Sequence, residues 1–214
     1  MHKYCKLSEF KIKNILKGFS EDLTATQASN LARVNRNTVN RFYRIFREKI
    51  FKFCQTQLPV SGEIELDESY FGGRFKGKPG RGSQNKIPVF GILKRSGKVY
   101  TQIIPNASAK VLKPIIKRLV EEKSIIYTDR FKSYDGLIFD GYEHYRINHS
   151  KEFARGRNHI NGIESFWSFA KRRLNKLNGV KPELFYLHIK ECEFRFNHRH
   201  KNLYDILRKV LKKY

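Results

Sequence analysis

The chain has 214 residues, 40% of them apolar, with 17 Phe and 11 Tyr, which suits one domain of ordinary size plus a small appended one and argues against global disorder. Lys and Arg number 44 against 20 Asp and Glu, a formal net charge of +24, and so basic a chain repels itself unless a polyanion neutralises it, which makes nucleic acid the natural partner and an anionic membrane surface the competitor. No apolar run approaches the roughly 20 residues of a membrane span, MHKYCKLSEF lacks the apolar core of a signal peptide, and Cys5, Cys54 and Cys192 stand too far apart for a C-x-x-C pair, so a soluble cytoplasmic protein with reduced thiols and no zinc ribbon is expected.

In chain order, LSEFKIKNILK (7–17) carries Leu7, Phe10, Ile15 and Leu16 in a loose helical pattern. Thr24 or Thr26 can cap a short helix running to about Arg33, Val34-Asn35 reads as a tight turn, and a second helix runs from near Arg36 to about Phe53 with Val39, Phe42, Ile45, Phe46 and Ile50 on its apolar side. Short helix, tight turn, longer basic helix is the helix-turn-helix plan. Asn35, Arg36, Asn37, Thr38 and Asn40 crowd the start of the second helix, where a recognition helix meets base edges. A plain helical pair feeding a core is the competing reading; the basic chain and the hydrogen-bonding residue types favour DNA.

QLPVSG (57–62) reads as a linker. After it, GEIELDESYFGG alternates, with Ile64 and Leu66 on one face and Glu63, Glu65 and Asp67 on the other, as a strand does. KIPVFGILKRSGKVYTQIIPN reads as two strands joined at Arg95-Ser96-Gly97. SAKVLKPIIKRLVEEK is a helix with Ser108 as its cap and Pro114 as a possible bend. SIIYTD is a short strand ending at Asp129, HYRIN is a further candidate strand, and helices are expected over 159–176, 182–197 and 202–213. Three consecutive strands followed by helix–strand alternation predict an α/β (α+β) mixed sheet with helices on its faces.

Acids are few in this chain, so their placement carries information. Asp67 ends the first strand and Asp129 ends the strand after the crossover helix; if those strands pair, the carboxylates meet at one sheet edge. Glu164 lies farther on, in a helix that could pack across that edge. On the strand alone, Glu63, Glu65 and Glu68 compete with Asp67. Converging carboxylates repel by roughly 4 kcal/mol per pair at 4 Å and an effective dielectric of about 20, so such a cluster persists only with protons or cations in it. Oxygen ligands beside phosphate suit Mg²⁺ or Mn²⁺, and two such ions about 4 Å apart serve phosphoryl transfer.

On the third-last helix, Ile160, Ile163, Trp167, Ala170 and Leu174 form one stripe, which makes Trp167 core, with stacking on a flipped base as the lesser alternative. Glu164 and Lys171 fall together on its margin, about 20° apart and roughly 10 Å along the axis, too far for an adjacent-turn ion pair.

The phrases IELDESYFGG, IIYTDRFKSY and HINGIESFWSFAKRRL, in that order, resemble the DDE-plus-Lys branch of bacterial insertion-sequence transposases, whose catalytic domain is similar to that of retroviral integrases. The resemblance covers about residues 60–200 and implies an RNase H-like fold, with a helix-turn-helix domain over 1–56 and the catalytic domain over 57–214. It implies that Asp67, Asp129 and Glu164 are catalytic and hold two divalent ions, Mg²⁺ or Mn²⁺, and that Lys171 contacts DNA phosphate beside the scissile bond. The reaction it implies is hydrolysis at the ends of a mobile element, followed by attack of the freed 3′ hydroxyl on target DNA. The cysteine-rich zinc segment of some relatives is missing, which leaves recognition of the terminal inverted repeats to the helix-turn-helix and the basic surface.

Further DNA contacts are expected from Arg172, Arg36, Asn37 and Asn40. His159 and Asn161 either cap the Glu164 helix or orient substrate. Arg74 and Lys76 lie in GGRFKGKPGRG (72–82), which reads either as a surface turn or as a loop holding phosphates. NHRH (197–200) reads as a basic helix end rather than a metal site. A homodimer or larger assembly on DNA, associated with the nucleoid, is expected by analogy. Two rivals remain: a DNA-binding regulator that has lost catalysis, opposed by the intact acid triad, and a nuclease acting on hybrids, opposed by the helix-turn-helix.

Overall fold

The computed structural model describes residues 7–56, 60–72, 86–129, 141–147, 160–177 and 179–213, which fall into two compact units: 1–56 with 182–214, and 57–181.

The first unit is helical. Ser8 opens α1 (Glu9–Ser20) by accepting the Lys11 N–H. Thr24, rather than Thr26, begins α2 (Ala25–Ala32): its hydroxyl accepts from Gln27 N while the Gln27 amide oxygen accepts from Thr24 N at 2.9 Å, so each satisfies a donor the helix leaves open. Arg33 turns the chain in the left-handed region at φ 50°, and Asn35 then caps α3 (Arg36–Gln55) by accepting from Asn37 N at 2.8 Å.

The division expected from sequence, with everything after 57 in the catalytic domain, differs from this grouping at its far end. The helices α6 (Phe185–Asn197) and α7 (Leu203–Lys213) pack with α1 and α3, and Phe194, Leu207 and Val210 share one core with Ile15, Phe19, Val39, Phe46 and Ile50. Charge fixes the same arrangement. Glu191, fully buried, takes Arg47 Nε at 2.7 Å and Arg195 Nε at 2.9 Å, and Arg195 also donates to the carbonyls of Ser20 at 3.1 Å and of Phe19.

The second unit is built on a five-stranded mixed sheet. Its strands are β1 (Glu63–Phe71), β2 (Ile87–Lys94), β3 (Val99–Ile103), β4 (Ile125–Thr128) and β5 (Glu143–Arg146), in the order β3-β2-β1-β4-β5. The first three pair antiparallel, the β2–β3 turn falling at the predicted Arg95-Ser96-Gly97; β4 and β5 run parallel to β1. On one face Ile64, Leu66, Phe90, Ile92 and Ile126 pack against Leu112, Ile115 and Ile116 of α4 (Ala109–Leu119). The other face is covered by α5 (Asn161–Asn175), which packs on β1 and β2. This is the mixed sheet with helices on its faces that the sequence predicts.

Candidate functional site

Alternation along β1 sends Ile64 and Leu66 into the α4 core and leaves Glu65 and Asp67 on the α5 side. The parallel pairing of β1 with β4 sets Glu63 opposite Ile125 and Glu65 opposite Tyr127. Carried two residues farther, that register brings Asp67 level with Asp129, just past the end of β4. Thr128, fully buried, holds the strand end: its hydroxyl donates to the Asp129 carbonyl at 2.7 Å and lies 2.8 Å from His144 Nε2 on β5.

Asp67 is held far from its ordinary state. Burial strips water from the carboxylate, and the charges of Glu68 and Asp129 add repulsion, so its pKa is pushed up from 3.8 to about 7 against the opposing hydrogen bonds from the Glu68 backbone and Trp167. The Trp167 indole N–H donates to Asp67 Oδ2 at 3.0 Å. Room for that ring is made by Gly91, the residue paired with Asp67 across β1–β2: a Cβ there would stand 2.6 Å from Trp167 Cζ2. The predicted apolar stripe of α5 is therefore real but incomplete. Ile163, Phe166, Trp167 and Ala170 are buried, Arg173 is buried with them, and Trp167 serves the site through its polar edge.

Glu164 is exposed on α5, one turn before Trp167. The structure thus brings Asp67 and Asp129 together and docks the Glu164 helix onto Asp67. Among the described residues no three His, Cys, Asp or Glu side chains form a group that could hold a metal ion. The donors nevertheless suit a hard divalent cation: Asp67 and Asp129 offer only oxygen, and a cation would offset the burial and the repulsion from Glu68 and Asp129 that drive Asp67 toward protonation.

Lys171 and Arg172 are exposed on α5. Asn161 is the first helical residue and exposed; it does not cap the helix, since the N-cap position is Ile160 and makes no side-chain cap bond. The first turn is bonded instead by Glu65, whose Oε2 accepts from Ile163 N at 2.9 Å. Arg36, Asn37 and Asn40 are exposed at the start of α3. His159, Arg74 and Lys76 lie outside the described residues.

Two residues with a part in the site, Glu65 and Trp167, were read from sequence as a rival carboxylate and as core. The signal that could have found them is glycine. Gly91 and Gly162 interrupt a strand and a helix where no turn is needed, and glycine there marks a close approach of something else.

No helix among the described residues is long and apolar enough to cross a membrane. Among solved structures, a strand transfer complex of Mos1 transposase is distantly similar, at a TM-score of 0.32 and 13% identity over 99% of this chain and 80% of that one. Sequence comparison is closer. A transposase-like protein of Haemophilus influenzae is 49% identical over 116 residues, covering 54% of this chain and 94% of the relative. A protein in the transposable element ISH50 of Halobacterium salinarum is 27% identical over 155 residues, and the match spans 52% of its length. Residues 59–197 match the model of the ISXO2-like transposase domain. Asp67 and Asp129 both lie inside that match, and the chain belongs to the ISXO2-like family of insertion-sequence DDE transposases.

Proposed function

We propose that this transposase binds the terminal inverted repeats of its element and carries out divalent-metal-dependent DNA cleavage and strand transfer. The observation that carries this reading is the nearness of Asp67, which lies in the middle of β1 rather than at its end, to Asp129, just past the end of the neighbouring parallel strand, with Asp67 bonded by Trp167 from the Glu164 helix. In this reading Asp67, Asp129 and Glu164 would hold two Mg²⁺ or Mn²⁺ ions. Bound there, the ions would activate an attacking oxygen and stabilise a leaving one.

The residues supply the rest. Trp167 fixes Oδ2 of Asp67 and so orients the carboxylate. Lys171 and Arg172, exposed on α5, take DNA phosphate, and Arg36, Asn37 and Asn40 read base edges from α3. In the first step water displaces the 3′ oxygen at the element end, leaving a 3′ hydroxyl and a 5′ phosphate. In the second, that hydroxyl attacks a target phosphodiester, a new bond forms and the target's own 3′ oxygen leaves with a proton. Two ends must be brought together, so the working form is a homodimer or larger on DNA.

Changing Glu164 to Gln tests this. With labelled end DNA, a target plasmid and Mn²⁺, the wild-type protein should give joined products, and E164Q should bind the end DNA as tightly and join none. Joining by E164Q at the wild-type rate would overturn the assignment. Binding without joining by the wild-type chain would mark a regulator that has lost catalysis.

A further inference from the structure

A helix leaves its first backbone N–H groups without partners, and a side chain at the N-cap position ordinarily takes one of them. In α5 that position is Ile160, which has nothing to offer. The N–H of Ile163, in the first turn, is taken by Glu65 Oε2 at 2.9 Å, from a strand 98 residues earlier in the chain. A carboxylate there also faces the positive end of the helix dipole.

Glu65 is itself held from two sides. Its Oε1 takes Arg95 Nε at 3.1 Å, and Arg95 Nη1 takes Glu63 Oε2 at 3.0 Å. The same guanidinium lies 3.6 Å from the ring centroid of Tyr127 on β4. Glu65 is 1% exposed, and Gly162 leaves room for it, since a Cβ there would stand 2.9 Å from Oε2. One buried carboxylate therefore touches the start of the Glu164 helix and, through Arg95, the strand that ends beside Asp129. It stands two residues before Asp67.

We propose that Glu65 is a positioning residue: with Arg95 it fastens the first turn of α5 to β1 and β4, and so sets Glu164 relative to Asp67 and Asp129. The inference rests on the reading of those three acids as metal ligands. Ligand-orienting groups one shell out change metal affinity by roughly 10–100-fold, whereas a bond that merely stabilised the fold would leave affinity alone once the protein is folded.

Two measurements on the full chain test it. The first is amide hydrogen exchange over 161–166. The second is Mn²⁺ affinity, from the free Mn²⁺ signal in electron paramagnetic resonance, on protein that melts as one folded species. Glu65→Ala should speed exchange in the first turn of α5, leave 170–175 protected, and weaken Mn²⁺ binding tenfold or more. Glu65→Gln keeps one acceptor, for Ile163 N–H, but sets an NH2 against Arg95 Nε, and should restore slow exchange while recovering only part of the affinity. Should Glu65→Ala not fold, Gly162→Ala decides: it keeps every polar group but crowds Oε2, and should shift both readouts in the same direction. Unchanged exchange, or faster exchange with wild-type Mn²⁺ affinity, would overturn the proposal. Failure of the wild-type chain to bind Mn²⁺ would instead overturn the metal reading beneath it, and Glu164→Gln measured alongside separates the two cases.

Discussion

The indole N–H of Trp167 donates to Oδ2 of Asp67 over 3.0 Å. A hydrogen bond to a carboxylate contributes about 1.5–3 kcal/mol. Trp167→Phe keeps an aromatic ring beside Phe71 and Phe166 and removes that donor together with the part of the indole that packs over Gly91. We expect strand transfer at limiting Mn²⁺ to fall about tenfold to a hundredfold while the melting temperature drops by a few degrees at most. A metal titration of the joining reaction checks it, since excess Mn²⁺ should recover part of the loss.

The pH dependence of stability follows from Asp67. Its folded pKa of about 7 lies above the ordinary 3.8, so between those values the native state keeps a proton that the unfolded chain has released. In metal-free buffer this contribution is fully present below about pH 4 and is lost as pH rises through 7, by at most about 4 kcal/mol. Denaturant midpoints at pH 5 and pH 8 in the presence of a chelator should show the decline, and Asp67→Asn should flatten it. Added Mg²⁺ should stabilise the wild-type chain more at pH 8 than at pH 5, because the ion competes with that proton.

On α3, Asn37, Asn40, Arg41 and Arg44 are exposed, and Arg44 is paired with Glu48 at 3.0 Å. Removing a base contact costs roughly 1–3 kcal/mol of discrimination, whereas removing a phosphate contact weakens all sequences alike. Asn37→Ala and Asn40→Ala should therefore narrow the preference for end DNA over random duplex, and Arg41→Ala should lower both affinities together and reduce their salt dependence. Competition binding at two salt concentrations distinguishes these outcomes.

Arg195 is the central cation of the helical unit, bonded to Glu191 and to the carbonyls at the end of α1. Arg195→Met should destabilise that unit by about 3–5 kcal/mol, because Glu191 then keeps a buried charge with a single guanidinium, Arg47, beside it. Replacing all three charges, Arg195→Met with Glu191→Leu and Arg47→Met, should recover much of the loss, as thermal melts of the single and triple variants would reveal.

Period and capping were legible in the sequence wherever the controlling residues are neighbours. Ile64 and Leu66 declare a strand by alternation, Thr24 or Thr26 marks a helix start, and Arg95-Ser96-Gly97 declares a turn. What escaped is controlled at long range. Glu65 reads as one more acid beside Asp67, because its partners are 30 and 98 residues away. Trp167 fits an apolar stripe by angle, and angle is blind to an indole N–H. Glu191 and Arg195 look like solvated charges on a helix; they are buried because Arg47 and the end of α1 meet them, which no local pattern encodes.

The helical unit draws its core from both ends of the chain, with Phe194, Leu207 and Val210 beside Ile15 and Val39. This has a consequence in time. A ribosome adds about 5–20 residues per second, so α1 to α3 emerge on the order of ten seconds before the helices that complete their core. During that interval the sheet-bearing unit can fold while the helix-turn-helix stays unfinished. A nascent chain interrupted after residue 181 would lack α6 and α7, and with them the finished core under the α3 surface proposed to read DNA.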